Sequence, residues 1–189
     1  MNKQKFMSVK EVFPQLADTT NKNRYLEFIK VNDLKIFTEE CLKHANYEIS
    51  EYENKVAEIA MDFLIRKELL DTVNHQTYVD ALIVAAMLHD IYFDEAHLST
   101  SLFKAREEFD YIADKDELYE FGALPEQMRE MIWDTIEGQL GDCTPMSKTK
   151  PSPNSPQDLF ATAVYIVRQG WRWFFEKVED VTIEEDKAE

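Results

Sequence analysis

The chain has 189 residues, enough for one domain with a sizeable core. Its formal charge of −16 argues against a nucleic-acid backbone as the main partner, because such a surface repels phosphate. It suits a basic protein partner, or a small anion reached through a local metal ion. Apolar residues make up 44% and there are only 4 Gly and 6 Pro, so turns are few and long helices are favoured over many short strands.

Residues 1–23 read as an N-terminal extension in which Phe6, Val9, Val12, Phe13 and Leu16 dock one short helix. The start, Met-Asn-Lys-Gln-Lys, lacks an apolar signal core. No apolar run approaches the roughly 20 residues that span a bilayer. Cys41 and Cys143 form neither a disulfide framework nor a Cys-x-x-Cys zinc pattern. A cytoplasmic protein with no membrane partner is expected.

Residues 24–178 read as one helical domain. Arg24 to Val31 is a helix, and Asn32 caps the next, Asp33 to about His44. Ser50-Glu51-Tyr52-Glu53 is a capping box, a strong start signal for a helix reaching about Leu70. Thr77-Tyr78-Val79-Asp80 resembles a second box and opens the central helix. There Val79, Leu82, Ile83, Ala86 and Met87 recur at helical spacing. Asp90 continues that stripe, so an acid sits where the pattern asks for an apolar side chain. A buried carboxylate needs a cation, hydrogen bonds or neutralisation, and the adjacent His89 makes a metal site a natural solution. A helix that simply ends in polar residues accounts for the same letters.

The turn after His89-Asp90 carries Asp94, Glu95 and His97, and a helix resumes near Thr100 and runs to about Ala113. Pro125 opens another helix, ended by Gly141. The loop from Asp142 to Ser155 holds three prolines with Lys148 and Lys150. Loops of this length are often functional. Pro156 opens the last helix, to about Val178, with Leu159, Phe160, Ala163, Val164, Val167, Trp171 and Phe174 inward. Trp173 and Phe175 add aromatic side chains outside that face, which fits burial on both sides or an interface, a second copy of the chain included. Residues 179–189 form an acidic tail. No stretch alternates with period two, so the expected fold is all-α.

Three stretches in this order carry a resemblance: Tyr52 to Ala60, Ala85-Ala86-Met87-Leu88-His89-Asp90-Ile91, and Ile136 to Gly141. From roughly Phe37 to Val178 the chain resembles the HD-domain superfamily of metal-dependent phosphohydrolases, above all its small bacteriophage members. The resemblance implies an HD-like helical bundle and a divalent ion (Mn, Fe, Co, Ni, Zn or Mg) that polarises a phosphate and activates water. The family's ligands are a His from the first helix, the His-Asp pair and an Asp on the last helix. His89 and Asp90 match the pair. In one register the first His falls on Tyr52 and the last Asp on Val164, with Gln139 in place of a further His, so only two ligands remain. In a second register His44, His89, Asp90 and Asp158 keep the family's order as the metal set. Asp158 also suits the first turn of a helix simply as an acid near its N-terminus. Asp94 or Glu95 is the candidate to orient water. Lys148, Lys150, Arg168 and Arg172 are candidates for a cationic rim around phosphate.

Two functions follow. One is hydrolysis of a nucleotide or other phosphate ester by an HD-type enzyme. The other is binding of a basic protein surface by an HD-like fold whose metal site has decayed.

Overall fold

The computed structural model describes residues 8–66, 76–92, 98–120, 122–139, 155 and 157–167. These residues are all-helical, with no strand among them. The helices are α1 (Val9–Val12), α2 (Arg24–Phe28), α3 (Asn32–His44), α4 (Glu51–Arg66), α5 (Gln76–Leu88), α6 (Leu98–Ala113), α7 (Glu126–Gly138) and α8 (residues 157–167). Short 3₁₀ turns cover Pro14–Ala17 and Asp116–Leu118. None of the described helices is long and apolar enough to cross a membrane. The acidic tail lies outside the described residues.

Every residue of α5 from Val79 to Leu88 is buried. A helix apolar on all sides must be enclosed, and α5 packs against α7, α4, α3 and α2. The acid within it, Asp80, is fully buried. Its Oδ2 accepts the backbone N–H groups of Lys30 (3.0 Å) and Val31 (2.8 Å), and its Oδ1 accepts the Gln76 amide (2.7 Å). The carboxylate therefore pins the corner between α2 and α3 onto the central helix. This corrects two expectations. Asp80 serves this corner rather than a capping box at Thr77, and α5 already starts at Gln76. Asn32 is the first residue of α3, and Val31 takes the cap position without a side-chain bond.

Elsewhere local chemistry sets the helix starts as expected. Ser50 Oγ accepts from Tyr52 N–H (3.2 Å), while Glu53 Oε2 accepts from Ser50 N–H (2.8 Å) and Oγ–H (2.6 Å), the reciprocal pattern of a capping box. Arg24, almost fully buried, forks onto the Glu51 carboxylate (3.1 and 2.5 Å) and ties α2 to the same helix start. The N-terminal extension docks through Val9 and Leu16, both fully buried, with Pro14 opening a 3₁₀ turn where one continuous helix was expected. Val9 N–H bonds Asp62 on α4.

The far side of α5 is aromatic. Phe37 (α3) meets Phe109 (α6) edge-on at 4.9 Å, and Phe109 meets Trp133 (α7) at 5.3 Å. Tyr92 contacts both Phe109 and Trp133. The Arg106 guanidinium caps the cluster, 5.2 Å from the Trp133 ring, while it pairs with Asp110 and Glu130. Burial pushes the Cys41 thiol beneath this cluster up to about 12, and the Tyr92 hydroxyl paired with it is raised further, again chiefly by burial.

Replacing Asp80 by Ala leaves two backbone donors at a buried corner without an acceptor. The expected loss is about 3 kcal/mol, read as a lower urea midpoint at unchanged m-value, and Asp80→Asn loses less. A loss below about 1 kcal/mol in Asp80→Ala would mean that the corner is held by something else.

Cys41, Tyr25, Tyr92 and Tyr119 all have pKa values raised in the folded state, so each favours the folded state while it stays protonated. Their contribution is complete below the thiol's ordinary value of 9.0 and is lost as pH rises from there toward the folded values. Thermal melts from pH 8 to 11 are therefore expected to fall above about pH 9, by up to about 1.4 kcal/mol per pH unit for each group, and to fall less steeply in Tyr92→Phe. A flat profile to pH 11 would contradict this account.

Candidate functional site

The site forms where the end of α5 meets α4, α8 and the loop between α3 and α4. The α-helix stops at Leu88, and the chain tightens into a turn in which Ile91 N–H bonds Leu88 carbonyl at 3.1 Å. His89 N–H still bonds the Ala85 carbonyl (2.9 Å), so His89 keeps the helical phase of Leu82, Ala85 and Ala86. His89 is fully buried, while the Asp90 side chain keeps 31% of its surface. The apolar stripe was expected to carry Asp90 inward; His89 is the inward residue instead.

The His89 ring is fixed at both nitrogens. Nδ1 lies 2.8 Å from the Ala86 carbonyl oxygen, which can only accept, so Nδ1 carries the proton. Nε2 is an acceptor while the ring is neutral and a second donor once it is protonated. It faces the Tyr52 hydroxyl at 3.5 Å and Asp90 Oδ1 at the same 3.5 Å. The Tyr52 ring stacks at a tilt on the imidazole (centroids 5.5 Å), and the fully buried Phe160 of α8 meets it edge-on at 5.9 Å. Val164, one turn further along α8, is also buried.

A second layer lies behind Tyr52. Glu53 is fully buried, and besides its two bonds from Ser50 it accepts the Tyr47 hydroxyl. Burial and then the Glu53 bond raise the pKa of the Tyr47 hydroxyl well above its usual value, and Asp90 and Tyr52 push in the same direction. Tyr47, Glu53, Asp90, Tyr52 and His89 are thus one polar cluster, and Asp90 is its exposed edge.

Of the residues named from sequence, the structure brings His89, Asp90 and Tyr52 together. His44 stands exposed at the end of α3, its ring 6.2 Å from that of Tyr111 on α6. Asp158 lies in the first turn of α8, where its backbone N–H bonds Ser155 Oγ (3.2 Å) and its carbonyl accepts from Thr162 (2.8 Å). Asp94, Glu95, Lys148, Lys150, Arg168 and Arg172 lie outside the described residues. Gln139 caps the end of α7 with both amide atoms buried and without a hydrogen-bond partner. Among the described residues no three His, Cys, Asp or Glu side chains gather as a metal-holding group. Besides the Asp90 carboxylate, the group that faces Nε2 is the Tyr52 phenol.

Tyr47 was not anticipated. Three residues before a capping Ser it carries no periodic signal, and only the fold turns it onto Glu53. Tyr47→Phe removes a donor to a buried carboxylate and is expected to cost about 1.5–3 kcal/mol, and Ser50→Ala about 1 kcal/mol. Because both act on Glu53, their double-mutant cycle in urea should show at least about 0.5 kcal/mol of coupling; strict additivity would separate the two contacts.

No protein-family model, curated protein or solved structure matches the chain.

Proposed function

We propose that this chain is a helical binding protein with a basic protein partner, and that His89 and Asp90 serve as a structural joint. The observation that carries this reading is the Tyr52 hydroxyl facing His89 Nε2 at 3.5 Å. Tyr52 occupies the place at which the HD-like register asks for a metal-binding His. It sets a hydroxyl beside Nε2 and a ring against the imidazole face. Phe160 covers another side. The charge of −16 supplies the attraction for a basic surface and hastens encounter with it.

The second reading, an HD-type phosphohydrolase acting on a phosphate ester with a divalent ion, has one observation in its favour. The His-Asp pair is intact, and Asp90 remains partly exposed beside the imidazole. Its other candidates, Asp94 and Glu95, lie outside the described residues.

The two readings separate on metal linkage. A live site at a hundredfold excess of ion over Kd stabilises the fold by about 2.7 kcal/mol, or about 5–10 °C in Tm for a chain of this size. The binding-protein reading expects no such shift with Mn, Ni or Zn in the wild type or in Asp90→Ala. It also expects a shift to appear in Tyr52→His, which places a second imidazole at His89. A wild-type shift that is lost in Asp90→Ala, with about one equivalent of bound ion, would favour the hydrolase and overturn the proposal.

A further inference from the structure

Two surface clefts, each of about 380 Å³, flank α2. One is lined by the cations Arg24 and Lys30 together with Glu27, whose carboxylate is already taken by the Asn21 amide at 2.7 Å. It offers little to a basic ligand. The other lies between the start of α2, the second half of α3 and the loop leading to α4, and its chemistry is different.

Its floor is apolar, made by Leu26, Leu42 and Ile49, each almost wholly buried. Tyr47 forms one wall. Its hydroxyl is committed to Glu53, so the ring remains for the cleft. Glu39 and Glu48 stand exposed on the rim, and among the described residues neither has a cation within 4.0 Å. Lys22 also lies on the rim but pairs with neither acid. An uncompensated pair of carboxylates above an aliphatic floor and an aromatic wall matches a long basic side chain. The stem packs on Leu26, Leu42 and Ile49, the cation lies against the Tyr47 ring, and the head meets Glu39 and Glu48.

We propose that this cleft is the docking site for an arginine- or lysine-bearing, amphipathic segment of a partner protein. The inference rests on the binding-protein reading and deepens it by naming the surface. It also joins the docking surface to the His89 cluster, because Tyr47 is a wall of one and a member of the other.

The test uses a fluorescein-labelled Arg/Leu amphipathic peptide, its Glu/Leu counterpart and anisotropy titrations against the full chain. Wild type is expected to bind the Arg peptide at least about tenfold tighter than the Glu peptide. Glu39→Lys/Glu48→Lys should weaken the Arg peptide at least about tenfold, and the gentler Glu39→Gln/Glu48→Gln about fivefold. Glu107→Lys/Glu108→Lys, on the exposed face of α6, changes the net charge equally and should cost less than about threefold. Equal weakening by the two Lys variants would overturn the cleft and leave the basic-partner reading standing. Failure of wild type to bind the Arg peptide would overturn both. Circular dichroism of each variant confirms that the comparison is between folded proteins.

Discussion

A helix with no polar face obliges the rest of the chain to cover it, and α5 is such a helix. Its burial from Val79 to Leu88 is what recruits α2, α3, α4 and α7 around one axis. The apolar attraction itself is non-directional. What selects one arrangement is the small number of polar groups admitted to the interior. Asp80 is the first of these. A single carboxylate with three donors fixes where the α2–α3 corner meets the central helix. Glu53 plays the same part at the other end, where it receives Ser50 twice and Tyr47 once. Both acids are tolerated because each is surrounded by donors.

The His89 cluster obeys the same rule. An imidazole with no exposed surface has its Nδ1 on the carbonyl three residues earlier and its Nε2 beside a phenol and a carboxylate. The arrangement is shut on its aromatic sides and open at Asp90. The Tyr52 phenol lies at a tilt on the imidazole and Phe160 packs on it edge to face, so side chains of α4, α5 and α8 meet there.

Much of this was legible in the sequence. The all-helical fold followed from the 3.6-residue periodicity and the scarcity of Gly and Pro. Ser50 to Glu53 announced α4, and Leu159, Phe160, Ala163, Val164 and Val167 announced the buried face of α8, all of them inward as expected. Tyr52 and His89, named from separate stretches of the sequence, meet in the fold. The rest depended on tertiary contacts. Asp80 had the spacing of a capping box, but two backbone N–H groups 49 and 50 residues away claimed its carboxylate. Asp90 lost its expected burial because it lies past the last residue of α5, and periodicity cannot see where a helix stops. Trp133 is buried because the rings of Phe109 on α6 and of Tyr92 reach it from the side.

The edge contact of Phe160 on His89 also orders events in time. The chain emerges from the ribosome N-terminus first, so α4 and α5 exist, and Tyr52 can already stack on the imidazole, before the last described helix has been made. Until residue 160 arrives, one side of the imidazole is bare. The joint is therefore completed late in synthesis, and α8 acts as the closing element of a core whose other walls precede it.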